Sequence, residues 1–161
     1  PNASCVFENR DTALMQIQEM LRTERITREA AILHEIETYN QLVPNDHELS
    51  ATIMVEIDEK AEREKFLADA RGLERSFAIV IDGHECPATH DPSREHPERT
   101  TAVHYVKFPL SAAADRALRD VLEKKRKAAD VKIALLAKHP RYEARAELGA
   151  ELVASLAEDL A

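Results

Sequence analysis

The sequence predicts an α+β domain in which an antiparallel sheet containing two β-hairpins packs against several helices. Asp82-Gly83 lies between two short apolar runs, and this dipeptide is the strongest local signature of a tight hairpin. A second hairpin is indicated by residues 131–138 and 141–148, which alternate with period two around His139-Pro140. Apolar residues elsewhere recur at three- and four-residue spacing, which predicts helices between the strands.

The N-terminal half should consist of a strand, two helices and a second strand. Residues 4–7 are short, apolar and β-prone, and Asp11 is expected to cap the helix that follows them. Thr27 is expected to cap a second helix, which ends before the breaker residues that begin at Pro44. Residues 49–57 then alternate between an apolar and a more polar face, as a half-buried strand does.

The C-terminal half should contain three further helices and a long strand. Asp58 is expected to cap a helix that stops at Gly72 in a left-handed conformation. Pro87 cannot donate to a ladder, so the second strand of the Asp-Gly hairpin should lie at a sheet edge. Residues 100–108 form a long strand, and Ser111 caps the next helix. A closing helix is predicted from the apolar positions Leu152, Val153, Leu156 and Leu160.

Composition excludes some classes of partner. Hydrophobic residues make up 44% of the 161 residues and charged residues 32%, which is ordinary for a globular protein, and we expect a single domain over residues 1–161. The net charge of -8 disfavours nucleic acid, because a polyanion would be repelled. No run approaches the about 18 apolar residues of a membrane span, so no membrane association is expected.

Cysteine usage predicts a reducing compartment. Cys5 and Cys86 are too few for a disulfide framework, and no signal-peptide pattern is visible, so we expect a cytoplasmic protein with both thiols free. The chain starts at Pro1 without an initiator Met, directly before a predicted strand. We therefore expect the natural protein to have residues before Pro1.

The opening segment FENRDT concentrates more polar chemistry than any other stretch. Glu8, Arg10 and Asp11 can orient a ligand, or they can fasten the first strand to the first helix, and the structural interpretation is favoured because Arg–carboxylate pairs are good clamps. We expect Arg10 to form a charge-assisted bond with a carboxylate from elsewhere in the chain, with Glu35 as first choice. Glu35 lies at the margin of an apolar helix stripe, where a half-buried carboxylate needs a partner.

Two histidine patterns are further candidates. His104 shares a strand face with apolar residues, which favours a core histidine over an acid/base group or a metal ligand beside Glu35 or Glu56. The set His84, Cys86, His90 and His96 has the donor atoms for zinc or iron, but its spacing matches no standard structural site, and no metal is expected. No cofactor motif is present, and neither a glycine-rich phosphate loop nor a nucleophile elbow occurs.

Several segments resemble a bacterial family of small proteins known only as a domain of unknown function. They are FENRDT, LMQIQEML, HEIETYNQLVP, ELSATIMVEI, RTTAVHYVKFPL and LAKHPRYEARAEL. The resemblance implies genes encoded near rubrerythrin-like and iron–sulfur proteins, and it implies no established activity. It makes nine residues candidate ligand-binding positions: Glu8, Asn9, Arg10, Asp11, Glu35, Tyr39, Asn40, Arg99 and His104.

Two functional hypotheses follow. In the favoured one the protein is an accessory or partner-binding protein in a cytoplasmic redox or peroxide-defence system, and a rubrerythrin-like or iron–sulfur protein is the partner. In the other it is a small metal- or ligand-binding enzyme that uses a Glu/Arg/His pocket. Convergence of polar residues from distant segments into one pocket would favour the second hypothesis. Sequence alone decides neither whether the protein is an enzyme nor its oligomeric state.

Overall fold

Two antiparallel sheets and five α-helices make up the described part of the chain, residues 2–160 of a computed structural model. The strands are β1 (Asn2–Glu8), β2 (Glu48–Glu56), β3 (Phe77–Ile81), β4 (His84–Pro87), β5 (Val103–Pro109), β6 (Ile133–His139) and β7 (Tyr142–Glu147). The helices are α1 (Arg10–Thr23), α2 (Glu29–Asn40), α3 (Lys60–Asp69), α4 (Ala112–Leu122) and α5 (Ala150–Glu158). The predicted α+β class is confirmed.

Both predicted hairpins exist, and they belong to one four-stranded sheet of order β4-β3-β6-β7. At the first turn Asp82 and Gly83 have φ values of 49° and 84°, the left-handed pair that a two-residue hairpin requires. Strand β4, which carries Pro87, lies at the edge of this sheet as predicted.

A second sheet, of order β1-β2-β5, was not separated from the first by the sequence pattern. Strand β5 pairs with β2 over seven residue pairs, from Glu48↔Pro109 to Met54↔Val103. An isolated bridge between Thr89 and Lys107 joins it to the chain just after β4, the edge strand of the other sheet. Residues 88–102 thus carry the chain from the edge of one sheet to the edge of the other.

The main core lies between the inner sheet faces and the helices α4 and α5. Ile79, Phe108, Leu118 and Leu156 are fully buried there, together with the inward-facing residues of β2. Each such side chain contributes about 1.5–3 kcal/mol by leaving water. The hydrophobic effect therefore holds the two sheets together, although few hydrogen bonds join them.

The first helix is capped by Asn9, and the prediction that Asp11 caps it is wrong. Asn9 has an extended backbone, and its side-chain oxygen accepts from the Thr12 N–H at 2.9 Å while Thr12 Oγ1 accepts from the Asn9 N–H. Asp11 already lies inside the first turn, where its carboxylate favours the helix through the macrodipole and not as the cap.

Two other predicted caps shift by one residue. Arg28 precedes the second helix without a side-chain bond, in place of Thr27, and Glu59 caps the third in place of Asp58. Glu59 can replace Asp58 because its carboxylate accepts from the Glu62 N–H, whereas Arg28 only provides the extended backbone at which the second helix begins. Ser111 caps α4 as predicted.

The outer face of the β1-β2-β5 sheet contains a buried carboxylate. Glu8 is 3% exposed, and it accepts hydrogen bonds from Thr12 Oγ1 and Thr52 Oγ1, each at 2.5 Å. These two bonds fasten β1 to the start of α1 and to the neighbouring strand β2. These bonds therefore fix the direction of α1, and of the helix α2 packed on it, relative to β1.

Cys5 and Cys86 are both free, which confirms the prediction that they form no disulfide. Burial, with a smaller contribution from the nearby Glu8 charge, raises the pKa of the Cys5 thiol to about 12. Cys86 lies in the core, with its sulfur 3.4 Å from the Ser111 N–H. Both environments suit structural thiols and not nucleophiles.

Removing one hydroxyl donor from Glu8 should destabilise the fold. Thr52→Val keeps the shape of the side chain but leaves a buried carboxylate oxygen without its partner, and it should lower the free energy of unfolding by about 1–3 kcal/mol. Urea denaturation followed by circular dichroism measures this change.

The control is Ser4→Ala, which removes a comparable hydroxyl–carboxylate bond, Ser4 to Glu56 at 2.6 Å, that is exposed to water. It should cost no more than about 0.5 kcal/mol. Equal losses in the two variants would contradict the role given to Glu8.

Candidate functional site

The opening segment is a structural junction. Glu8 is satisfied by two hydroxyls, and Asn9 caps α1 while its Nδ2 donates to Asp159 Oδ1 at 3.0 Å. The first strand is thereby linked to the last helix, across 150 residues of sequence. Arg10 and Asp11 are exposed beside this junction, along an open polar groove.

The expected ion pair between Arg10 and Glu35 is absent from the structure of residues 2–160, so that prediction is wrong. Arg10 lies in the groove formed with the end of α5, near Ser155 and Glu158. Glu35 lies half-buried on α2, close enough to Tyr39 for its charge to raise the pKa of that phenol. The first residue of α1 faces the last helix and not the second one, which sequence spacing could not show.

Two other candidate positions also lie on the surface. Arg99 donates to Glu64 at 2.5 Å, and both side chains are about half exposed. Asn40 is exposed at the end of α2. Of the nine candidate ligand-binding residues, Tyr39 and His104 line the cavities described next.

A concave site, here called the larger cavity, has a volume of about 450 Å³. It lies between α2, the outer face of β2 and β5, and the segment 89–94. Its apolar surface comes mainly from Tyr39, Leu42 and Tyr105, and its polar groups include Ser50, His90, Asp91, Arg94 and Lys107. These residues come from four separate parts of the chain.

Two cationic side chains in the larger cavity differ in how many hydrogen bonds they donate within the protein. Lys107 Nζ donates to Glu48 at 2.8 Å and to the Val43 carbonyl at 3.1 Å, so its charge is largely compensated. The guanidinium of Arg94 lies 5.0 Å from the Tyr105 ring centre, and its Nε forms a half-exposed ion pair with Asp91 at 3.8 Å, which is too long for a hydrogen bond. Within residues 2–160 the Arg94 guanidinium donates no hydrogen bond, so its donors are available to a ligand.

Tyr39 adds a neutral donor to the same cavity. Burial is the main cause that raises the pKa of its phenol, followed by the nearby Tyr105 and the charge of Glu35. Its hydroxyl therefore stays protonated at neutral pH and can donate to a bound oxygen.

A second space, here called the smaller cavity, has a volume of about 30 Å³ and adjoins the first. His104, Glu74 and Thr100 line its inner side, and all three are at least nine-tenths buried. Thr100 Oγ1 donates to Glu74 at 2.7 Å. His90, Arg94 and Tyr105 line both cavities and form the wall that the two share.

His104 has a buried nitrogen without a partner. Within residues 2–160 its Nε2 has no hydrogen-bond partner, and the neighbouring Thr101 backbone acts to raise the pKa of the ring. Burial lowers the pKa of His104 and outweighs the opposing influence of Glu74. A neutral ring with its proton on Nδ1 presents a lone pair on Nε2, so His104 offers an acceptor to the smaller cavity.

His90 belongs to a surface network. Its Nε2 lies 2.6 Å from Glu95, and Glu95 also forms an ion pair with Arg75. The hydrogen bonds from Arg75 and His90 lower the pKa of Glu95 to about 2, so this carboxylate stays charged. The network fixes the segment that covers the two cavities.

The four metal-ligand candidates of the sequence lie apart. Cys86 is buried against Ser111, His84 and His96 are exposed, and His90 bonds Glu95. Between residues 2 and 160 no group of three or more His, Cys, Asp or Glu side chains is placed to hold a metal ion.

Comparison with known proteins places the chain in a family. Residues 1–160 match the family described as "Protein of unknown function (DUF3501)". The chain belongs to this family. It is also similar to a crystal structure described as a novel protein of unknown function from Burkholderia pseudomallei K96243, with 31% sequence identity and a TM-score of 0.85.

That similarity covers 100% of this chain and 81% of the Burkholderia chain, so this DUF3501 fold is shared over its whole length here. The chain matches no curated protein. Across the described residues, no helix has both the length and the apolar character needed to cross a bilayer.

Sequence reasoning missed the residues that contribute most to the site: Glu74, Arg94, Tyr105 and Lys107. Tyr105 and Lys107 alternate with His104 along β5, so that strand offered a signal: its polar residues point to both faces. Arg94 lies in a proline-rich loop whose position depends on the Thr89–Lys107 bridge, and no local pattern shows that bridge.

The buried His104 should make stability depend on pH. The pKa of His104 in the folded protein is below the ordinary value of 6.5. As pH falls through that value, the unfolded chain therefore binds more protons than the folded protein does. The free energy of unfolding should therefore decrease from pH 7.5 towards 5.5, and His104→Gln should flatten this slope. Urea titrations at a series of pH values measure it.

His34→Gln, an exposed histidine on α2, is the control and should keep the wild-type slope. If His104→Gln retained the full slope, the neutral buried state assigned to His104 would be wrong.

Proposed function

We propose that this DUF3501 protein binds a small organic anion in the larger cavity. The observation that carries the proposal is the Arg94 guanidinium, which is stacked on Tyr105 at the cavity wall and donates no hydrogen bond within residues 2–160. A guanidinium held by ring stacking is pre-organised to bind a carboxylate or phosphate through two parallel N–H groups.

The shape of the cavity supports a ligand with an apolar body. A volume of about 450 Å³ falls within the range of small-molecule sites, about 300–1,000 Å³. Leu42 and the two tyrosines provide surface for an aromatic or aliphatic ring. Tyr39 and Ser50 add hydroxyls that can orient the polar end.

The proposal corresponds to the ligand-binding hypothesis drawn from the sequence, with a different set of residues. Distant segments do converge on one pocket, but the opening segment and Glu35 do not line it. Tyr39 is the residue that both sets share.

Benzoate is the simplest probe of this proposal. It should bind saturably to the wild type, as followed by isothermal titration calorimetry. Arg94→Gln should weaken the binding by about 10- to 100-fold, because one charge-assisted interaction is lost. Arg22→Gln changes an exposed arginine of α1 that pairs with Glu19, and it should leave the affinity unchanged.

Benzylamine has the same ring with the opposite charge and should not compete with benzoate. If benzoate failed to bind saturably, or bound Arg94→Gln as well as the wild type, the proposal would be rejected.

A second candidate function is the accessory role in a bacterial, cytoplasmic redox or peroxide-defence system. It is supported by three exposed apolar side chains on the paired helices: Leu14, Met15 and Leu33 are each at least half exposed. Two free cysteines fit a reducing compartment. The family resemblance implies a rubrerythrin-like or iron–sulfur protein as the partner.

The partner-binding role predicts a direct complex with a purified rubrerythrin-like protein. Met15→Glu combined with Leu33→Glu should reduce the affinity at least about tenfold, because a charge would enter the apolar contact. Leu152→Glu, at an equally apolar and partly exposed position of α5, should have no effect. Size-exclusion chromatography and calorimetry test this, and equal affinities for all variants would contradict the role.

A further inference from the structure

We infer that the smaller cavity binds a primary ammonium group, so that the ligand is a small molecule carrying both an anion and an amine. The inference that the ligand carries an anion rests on the proposed function. The inference that it carries an ammonium group rests on the smaller cavity alone, so the two can be tested separately.

The buried groups of the smaller cavity are hydrogen-bond acceptors that can each accept a further hydrogen bond. His104 Nε2 is buried without a hydrogen-bond partner among residues 2–160, and in the neutral tautomer with its proton on Nδ1 this nitrogen presents a lone pair. Glu74 is 8% exposed, and its side chain receives one hydrogen bond, from Thr100. A buried acceptor without a donor costs free energy, so an occupant that donates to both groups is favoured.

The charge of the Glu74 carboxylate determines which kind of hydrogen-bond donor the smaller cavity favours. The other carboxylate of the cavity, Glu95, already pairs with Arg75, whereas no ion pair within residues 2–160 involves Glu74. Arg94 also lines the cavity, but it is stacked on Tyr105. A buried carboxylate without an ion-pair partner favours a cation over a neutral hydroxyl.

Size and coordination exclude the other cations. A volume of about 30 Å³ accepts a group the size of a water molecule, and an ammonium nitrogen is that size. An ammonium carries three donors, enough for Glu74 and His104 together, whereas a hydroxyl carries one. The part of the chain from residue 2 to residue 160 offers no group of three or more side chains suited to a metal ion.

The two cavities are close enough for one ligand to occupy both. His90, Arg94 and Tyr105 line each of them, so the cavities share one wall. A ligand whose carboxylate binds the Arg94 side of this wall can place an amine on the Glu74 side. The substrate class is therefore a small amino acid or another zwitterion with a compact body.

The first experiment uses methylammonium alone and needs no anion site. The His104 ring signals, assigned through the spectrum of His104→Gln, are followed in two-dimensional ¹H–¹⁵N NMR during titration with methylammonium chloride at neutral pH. Saturable shifts are expected. Tetramethylammonium, which has no N–H and is too large, should cause none at the same ionic strength.

Glu74→Gln should abolish these shifts, and Glu64→Gln, an exposed carboxylate paired with Arg99, should retain them. If methylammonium caused no saturable shift in the wild type, the cavity would hold water only and the inference would be overturned. That result does not depend on whether Glu74→Gln folds.

The second experiment compares 4-(aminomethyl)benzoate with 4-ethylbenzoate, which has the same shape without the charge. The amine should bind the wild type about tenfold more tightly, and Glu74→Gln should remove this advantage while leaving 4-ethylbenzoate binding unchanged. If the wild type bound the two compounds with equal affinity, the inference of a zwitterionic ligand would be rejected, whereas the proposed anion site would be retained. Methylammonium shifts without benzoate binding would reject the proposed function and leave the ammonium site standing.

Discussion

The backbone bridge between Thr89 and Lys107 is the interaction on which the site depends. Each residue donates its N–H to the carbonyl of the other, at 2.7 and 2.9 Å, and the pair joins the chain leaving the edge strand β4 to the edge strand β5. An open sheet edge has unpaired backbone groups that need covering. The bridge provides that cover at one point, and it brings the following segment across the outer face of the sheet. Arg94 and His90 lie in that segment, so their positions depend on this bridge together with the Glu95 network that holds the segment further along.

Three of the buried polar residues, Glu8, Glu74 and His104, serve different purposes, and their hydrogen bonds show which. Glu8 has two hydroxyl donors and connects a strand, a helix and a neighbouring strand, so it is a structural residue. Glu74 has one donor, and His104 has a nitrogen with none. Folding selects against unsatisfied buried groups, and those that persist tend to lie where a ligand completes the network. The same reasoning separates the opening segment, which is rich in polar chemistry but satisfied, from the cavities.

Local features of the fold could be predicted from the sequence, and long-range ones could not. The Asp82-Gly83 turn and the Ser111 cap depend on neighbouring residues only, and both were predicted correctly. The division into two sheets depends on which strand β5 pairs with, and alternation along a strand contains no information about its partner.

The candidate site shows the same limit at the level of single residues. His104 was recognised because an imidazole on an apolar strand face is unusual. The neighbouring Glu74 follows a helix stop in a short turn, and nothing in its local sequence indicates burial. Arg10 was given a partner by its chemistry, but the orientation of α1 directs it towards α5. Residue type thus indicated which groups need partners, and only the tertiary structure shows which groups meet.

A co-crystal structure with 4-(aminomethyl)benzoate tests the central claim most directly, because it locates both charges of the ligand at once. The account predicts the carboxylate within hydrogen-bond distance of Arg94 and the ammonium between Glu74 and His104 Nε2. A ligand bound elsewhere, or one bound in the larger cavity with its ammonium turned to solvent and water beside His104, would contradict it.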